Sequence, residues 1–249
     1  MSSNISYTLS ASSLLIIYLI SLGLTDDLSP STYVLNTYLY IFLSILMIGT
    51  TWTSIDKYNF GPYVVNNYFS LVCLSFVSLL TTLFTTNEQY LMKHISWATF
   101  IMSIGATSYI TYKINLSSGV LYKVLTTLIL TMGLLSYFAY LKPFYISKNW
   151  HIILLYILLI MIIIEVLDFT TSSFKSTDFI NRSKIYGWIL VALFSGFVIY
   201  DTQKILNDGI TKSYVCGKSQ YKCADYPKAS LGLFLDAINL FSSMIRIIH

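Results

Sequence analysis

The sequence predicts an all-α, polytopic bundle of membrane-spanning helices, and two observations carry that reading. Hydrophobic residues make up 55% of the 249 positions and charged residues only 10%, against roughly a quarter charged in a soluble domain. Apolar runs of about 20 residues, long enough to cross a hydrocarbon core, recur along the whole length. Strict polar–apolar alternation is missing, which argues against a β-barrel. Backbone in lipid must close its own hydrogen bonds, so the runs are expected as helices.

Eight runs follow in order: 8–24, 33–52, 62–84, 93–111, 120–141, 150–170, 185–205 and 229–248. The first is the shortest. It lacks a basic leading region, and Asp26 and Asp27 stand where the small residues of a cleavage site belong, so it reads as a helix and not as a removable signal peptide. The runs at 33–52 and 62–84 carry no charged residue. Trp52, Trp97, Trp150 and Trp188 fall near span ends, where indole rings favour the membrane interface. The sixth run contains Glu165 and Asp168, the seventh Asp201, and the eighth Asp236 and Arg246. Little chain remains between runs, so residues 1–249 form a single transmembrane domain.

The net charge of +4 comes from basic residues scattered through loops, which is no nucleic-acid footprint. No nucleotide loop, nucleophile motif or HExxH pattern is present, and no enzymatic activity is expected. His94, His151 and His249 are too scattered for a metal site, and no cofactor is expected beyond Ca2+ as a bound or transported ion. The bilayer is the expected partner, with other membrane proteins as the alternative.

Eight crossings place the last loop, 206–228, on one side with the loops near 25–32, 85–92 and 142–149. Lys and Arg divide almost evenly between the two sides, but four lysines (Lys212, Lys218, Lys222 and Lys228) crowd the last loop. The positive-inside tendency therefore places it in the cytosol or a mitochondrial matrix. Three N-x-S/T triplets, at Asn4, Asn115 and Asn181, fall on the opposite side, where glycosylation takes place. Cys216 and Cys223 in the last loop are expected as free thiols on the reducing side.

Acids inside a span are costly and mark functional positions. Asp201 lies just before the last loop and Asp236 just after it, so both occupy the same half of the membrane and can meet. Two carboxylates in a poorly hydrated site share one proton. The protonated pair ties two helices together; the doubly negative pair pushes them apart and offers hard oxygens to Ca2+. The plainer reading puts Asp201 at a helix end with Lys204 at i+3 as partial partner. Arg246 stands ten residues beyond Asp236, about 15 Å along a helix. That depth suits a structural ion pair with Glu165 or Asp168, the alternative being that all three snorkel separately.

Two segments then resemble a known signature. Phe194-Ser-Gly-Phe-Val-Ile-Tyr-Asp-Thr-Gln-Lys204 and Ala229-Ser-Leu-Gly-Leu-Phe-Leu-Asp-Ala-Ile-Asn-Leu-Phe241, followed by Arg246, are similar to the transmembrane Bax inhibitor motif family. The wording YDTQK is nearest its mitochondrial, growth-hormone-inducible branch. The resemblance covers about the last 60 residues. It implies a seven-helix core, here 33–248, with 8–24 as an added helix. It also implies a pH-sensitive calcium leak channel or exchanger linked to cell-death suppression, with Asp201 and Asp236 as the pH-sensing, ion-binding pair. A mitochondrial inner membrane is the expected location, with endoplasmic reticulum, Golgi or a viral membrane as alternatives. The sequence departs in one respect: bacterial relatives carry an arginine on an early helix that competes for the pair, and the spans 33–52 and 62–84 contain no charged residue here. A non-conducting structural or regulatory subunit of a larger membrane complex is therefore the second expectation.

Overall fold

The computed structural model describes residues 29–141, 149–171, 177–216 and 224–248. The run at 8–24, Cys223 and the side chain of Cys216 lie outside the described residues. Eight α-helices are described: α1 Pro30–Lys57, α2 Gly61–Asn66, α3 Tyr68–Phe84, α4 Tyr90–Ser117, α5 Val120–Leu141, α6 Trp150–Thr171, α7 Thr177–Cys216 and α8 Tyr226–Ile248. Among the described residues, five segments are long and apolar enough to cross a membrane: Pro30–Lys57, Val120–Leu141, Trp150–Asp168, Asn181–Val215 and Tyr226–Ile248. The protein is an all-α polytopic membrane bundle.

The described chain forms two compact units, one within Met1–Ile114 and Asn207–Leu231, the other within Asn115–Leu206 and Gly232–His249.

In the first unit, Ser29 caps α1 by accepting from Thr32 N at 3.0 Å, and Pro30 occupies the first turn, where its missing N–H costs nothing. The predicted run 62–84 is divided at Asn67. Its side chain donates to the Tyr63 carbonyl at 2.9 Å, competing with the helix ladder. The ladder nevertheless continues through Leu71 N to Asn67 O at 3.0 Å, so α2 and α3 make one kinked passage.

The predicted run 93–111 lies within α4, and the register of α4 against α1 supports its crossing. Tyr40 Oη meets His94 Nε2 at 2.7 Å, Trp52 Nε1 donates to Gly105 O at 2.9 Å, and Tyr109 Oη donates to Asp56 Oδ1 at 2.5 Å. The offset between partners stays nearly constant over 16 residues of α1, about 24 Å of rise. The two helices are therefore parallel and side by side, and α4 crosses wherever α1 does. Gly105 makes this approach possible: a Cβ there would lie 3.0 Å from Thr51 Cβ and 3.3 Å from Ile48 Cα. The α4 face turned to α1 can be polar because His94, Tyr109 and the Gly105 carbonyl bond to α1 there and so are not left to lipid.

At the Pro30 end of this unit, Lys93 is buried and its ammonium meets Asp225 Oδ2 at 2.5 Å. Asp225 also caps α8, Oδ1 accepting from Lys228 N at 3.1 Å. Lys212 donates to Tyr33 Oη at 3.1 Å, and Asn36 Nδ2 donates to Tyr226 Oη at 3.2 Å. Starts of α1, α4 and α8 and the end of α7 are thus gathered together, as the predicted alternation of loops requires. At the other end, Asp56 pairs with Lys113 at 2.6 Å.

In the second unit, α5 buries Leu121, Val124 and Leu128, a helical stripe. In α6, Ile153, Tyr156, Ile160 and Ile163 are half exposed or more, a lipid-facing surface. Close approaches are made at Gly196, where a Cβ would stand 3.1 Å from Leu154 Cδ2, and at Gly187, where it would stand 2.9 Å from Ile247 Cγ1. Helix α7, at 40 residues, outruns the predicted span 185–205, because the polar residues beyond Asn207 continue the helix instead of leaving it. Asn115 is 2% exposed, too buried for that triplet to carry a glycan.

Lys93→Met should leave Asp225 without its cation and lower stability by about 3 kcal/mol, and a Lys93→Met, Asp225→Asn double variant should recover most of that loss. Thermal melts in one detergent measure both; equal melts for all three proteins would contradict the coupling.

Candidate functional site

The candidate site lies in the second unit, where α7 carries Asp201 and α8 carries Asp236. Asp201 sits mid-helix within a long α7, so its backbone groups are satisfied and only the carboxylate needs a destination. That destination is the α8 backbone. Gly232 leaves a notch one turn before Asp236, and a Cβ there would overlap Asp201 Oδ2, with Cγ only 3.0 Å away. The Gly in GLFLDAIN is thus a steric requirement of the acid in YDTQK.

Asp236 is 6% exposed, and its Oδ2 has no hydrogen-bond partner among the described residues. Asp201 lies within electrostatic reach of it. A buried carboxylate oxygen without a donor is costly, unless the oxygen carries a proton or faces an ion. Two further groups act on Asp201: Lys204, one turn on, and His151, whose ring stacks on Tyr200 with centroids 5.2 Å apart and planes at 28°. Nearby, Ser136 Oγ and Thr202 Oγ1 are 3.3 Å apart. The arrangement can hold a proton between two acids or present them to a hard cation beside an imidazole ring.

The other intramembrane acids are settled differently. Arg246 Nη1 donates to Glu165 Oε1 at 2.7 Å, which ties the end of α8 to α6. Asp168 pairs instead with Arg182 Nη2 at 3.2 Å, across the α6–α7 connection. Of the two acids open to Arg246 on depth alone, the structure uses Glu165.

Sequence reasoning missed His151, set aside as one of three scattered histidines. The signal was present in depth: the start of α6 and the end of the 185–205 run flank loops on the same side, so His151 and Asp201 belong to one layer. Lys93, the first residue of the run 93–111, is buried.

Comparison with known proteins adds the identity. A family model described as inhibitor of apoptosis-promoting Bax1 matches residues 30–249. The chain belongs to the Bax inhibitor family. No curated protein and no solved structure gave a significant match. The match takes in every described helix and leaves the 8–24 segment outside it. As a Bax inhibitor family member the chain is an integral membrane protein linked to suppression of cell death.

Gly232→Ala tests the notch. Alanine gains about 1 kcal/mol of intrinsic helix propensity over glycine, yet the variant should melt lower than the parent because its Cβ evicts the Asp201 carboxylate. A melting temperature equal to or above the parent's would refute the packing.

Proposed function

We propose that the chain is a pH-sensitive calcium leak whose sensor and ion-binding groups are Asp201 and Asp236. The carrying observation is the buried Asp236 Oδ2 that lacks a donor, beside a second carboxylate seated on the same helix at Gly232. Desolvation and mutual repulsion disfavour two negative charges there. In acid the pair holds a proton and joins α7 to α8. As pH rises the proton leaves, the charges repel, and the oxygens become available to a cation. Two carboxylates supply at most four of the six to eight oxygens Ca2+ takes, which suits an ion in passage better than one stored.

The second reading is a non-conducting subunit of a larger membrane assembly. It is favoured by the early spans 33–52 and 62–84, which carry no cation to compensate the pair once it opens. A mitochondrial inner membrane is the proposed location on the strength of the YDTQK wording, and organelle fractionation against inner-membrane markers tests it.

Purified chain in proteoliposomes should pass Ca2+ faster as pH is raised on both faces from acidic values. Asp201→Asn with Asp236→Asn should abolish that dependence. A double variant with the parent's pH profile removes the pair from the mechanism; no flux from the parent, together with a stable large complex in mild detergent, favours the second reading.

A further inference from the structure

Away from the carboxylate pair, at the far end of the first unit, two adjoining cavities differ sharply in chemistry. The first, about 490 Å³, is apolar and opens between α1, the α2–α3 passage and α4, walled by Ile55, Val64, Leu71, Leu74, Met102 and Ala106. The second, about 510 Å³, shares Ile55 and is bounded by Asp56, Asn59, Tyr109 and Lys113. Both volumes fall in the range of about 300 to 1,000 Å³ usual for small-molecule sites. Two aromatic residues that line the apolar cavity, Phe60 and Tyr63, are exposed by 55% and 63%, as rings are at the headgroup level.

We propose that this pair of cavities binds one zwitterionic phospholipid from the leaflet opposite the last loop, with an acyl chain in the apolar cavity and the headgroup in the polar one. Three observations select this occupant. The apolar cavity is open along helices that face hydrocarbon, so its natural filling is a lipid chain. The polar cavity lies directly at its end, at the depth where α1 and α4 leave the membrane. Its charges are complementary to a zwitterion: the Lys113 side chain is 57% exposed and offers further N–H donors to a phosphate. Asp56 receives both Tyr109 and Lys113 on Oδ1, leaving Oδ2 without a hydrogen bond among the described residues and open to an ammonium. Asn59, which also lines the polar cavity, takes a φ of 56°, a left-handed conformation that asparagine tolerates, and turns the chain between α1 and α2. An anionic lipid would satisfy Lys113 but bring its charge against Asp56.

The test is native mass spectrometry of the full chain taken from nanodiscs holding equal phosphatidylethanolamine and phosphatidylglycerol. One phosphatidylethanolamine should remain bound per chain. Ala106→Phe and Met102→Trp fill the apolar cavity from two positions, the second at an exposed residue that tolerates bulk, and each should lose the retained lipid. Asp56→Asn should keep a lipid but lose the headgroup preference. No retained lipid in the parent, a preference for phosphatidylglycerol, or retention unchanged in Met102→Trp overturns the proposal.

Discussion

An acid inside hydrocarbon must be paired, neutralised or hydrated, and the arrangement of this protein follows from how each one is satisfied. Glu165 is answered by Arg246 and Asp168 by Arg182. At the ends of the first unit, Asp225 is answered by Lys93 and Asp56 by Lys113. Asp201 and Asp236 are the acids for which the fold provides mainly each other. The cost of burying charge is what separates structural ties from the group that can change state.

Small residues decide where helices approach closely enough for this to work. Gly105 lets α1 and α4 run in contact, and Gly187 and Gly196 do the same on α7. Without a hydrophobic driving force between helices in lipid, close packing and interhelical hydrogen bonds carry association. Gly232 serves a different end, admitting a carboxylate instead of a neighbouring helix. One residue type therefore builds both the scaffold and the site.

Polarity is likewise distributed by contact and not by segment. Helix α4 carries Lys93, His94, Ser96 and Ser103 yet accompanies α1 through its length, because those groups bond within the unit. Many of its serines and threonines bond the carbonyl three or four residues back, as Ser96 does to Lys93 O at 3.0 Å and Thr99 to Ile95 O at 2.8 Å. The buried Lys93–Asp225 pair joins the start of α4 to the cap of α8, which makes a helix start a point of attachment.

The sequence alone determined the all-α membrane class and the helices from residue 33 onward, because span length and hydropathy are local quantities set by bilayer thickness. It also put Asp201 and Asp236 in one half of the membrane, since depth follows from rise per residue. It could not choose between Glu165 and Asp168 for Arg246, because depth fixes height and leaves rotation about each helix axis open. Nor could it give the parallel register of α1 and α4, the burial of Lys93, the place of His151 or the notch at Gly232. Those depend on which faces turn towards each other, and in lipid that is decided by close packing and the pairing of buried polar groups.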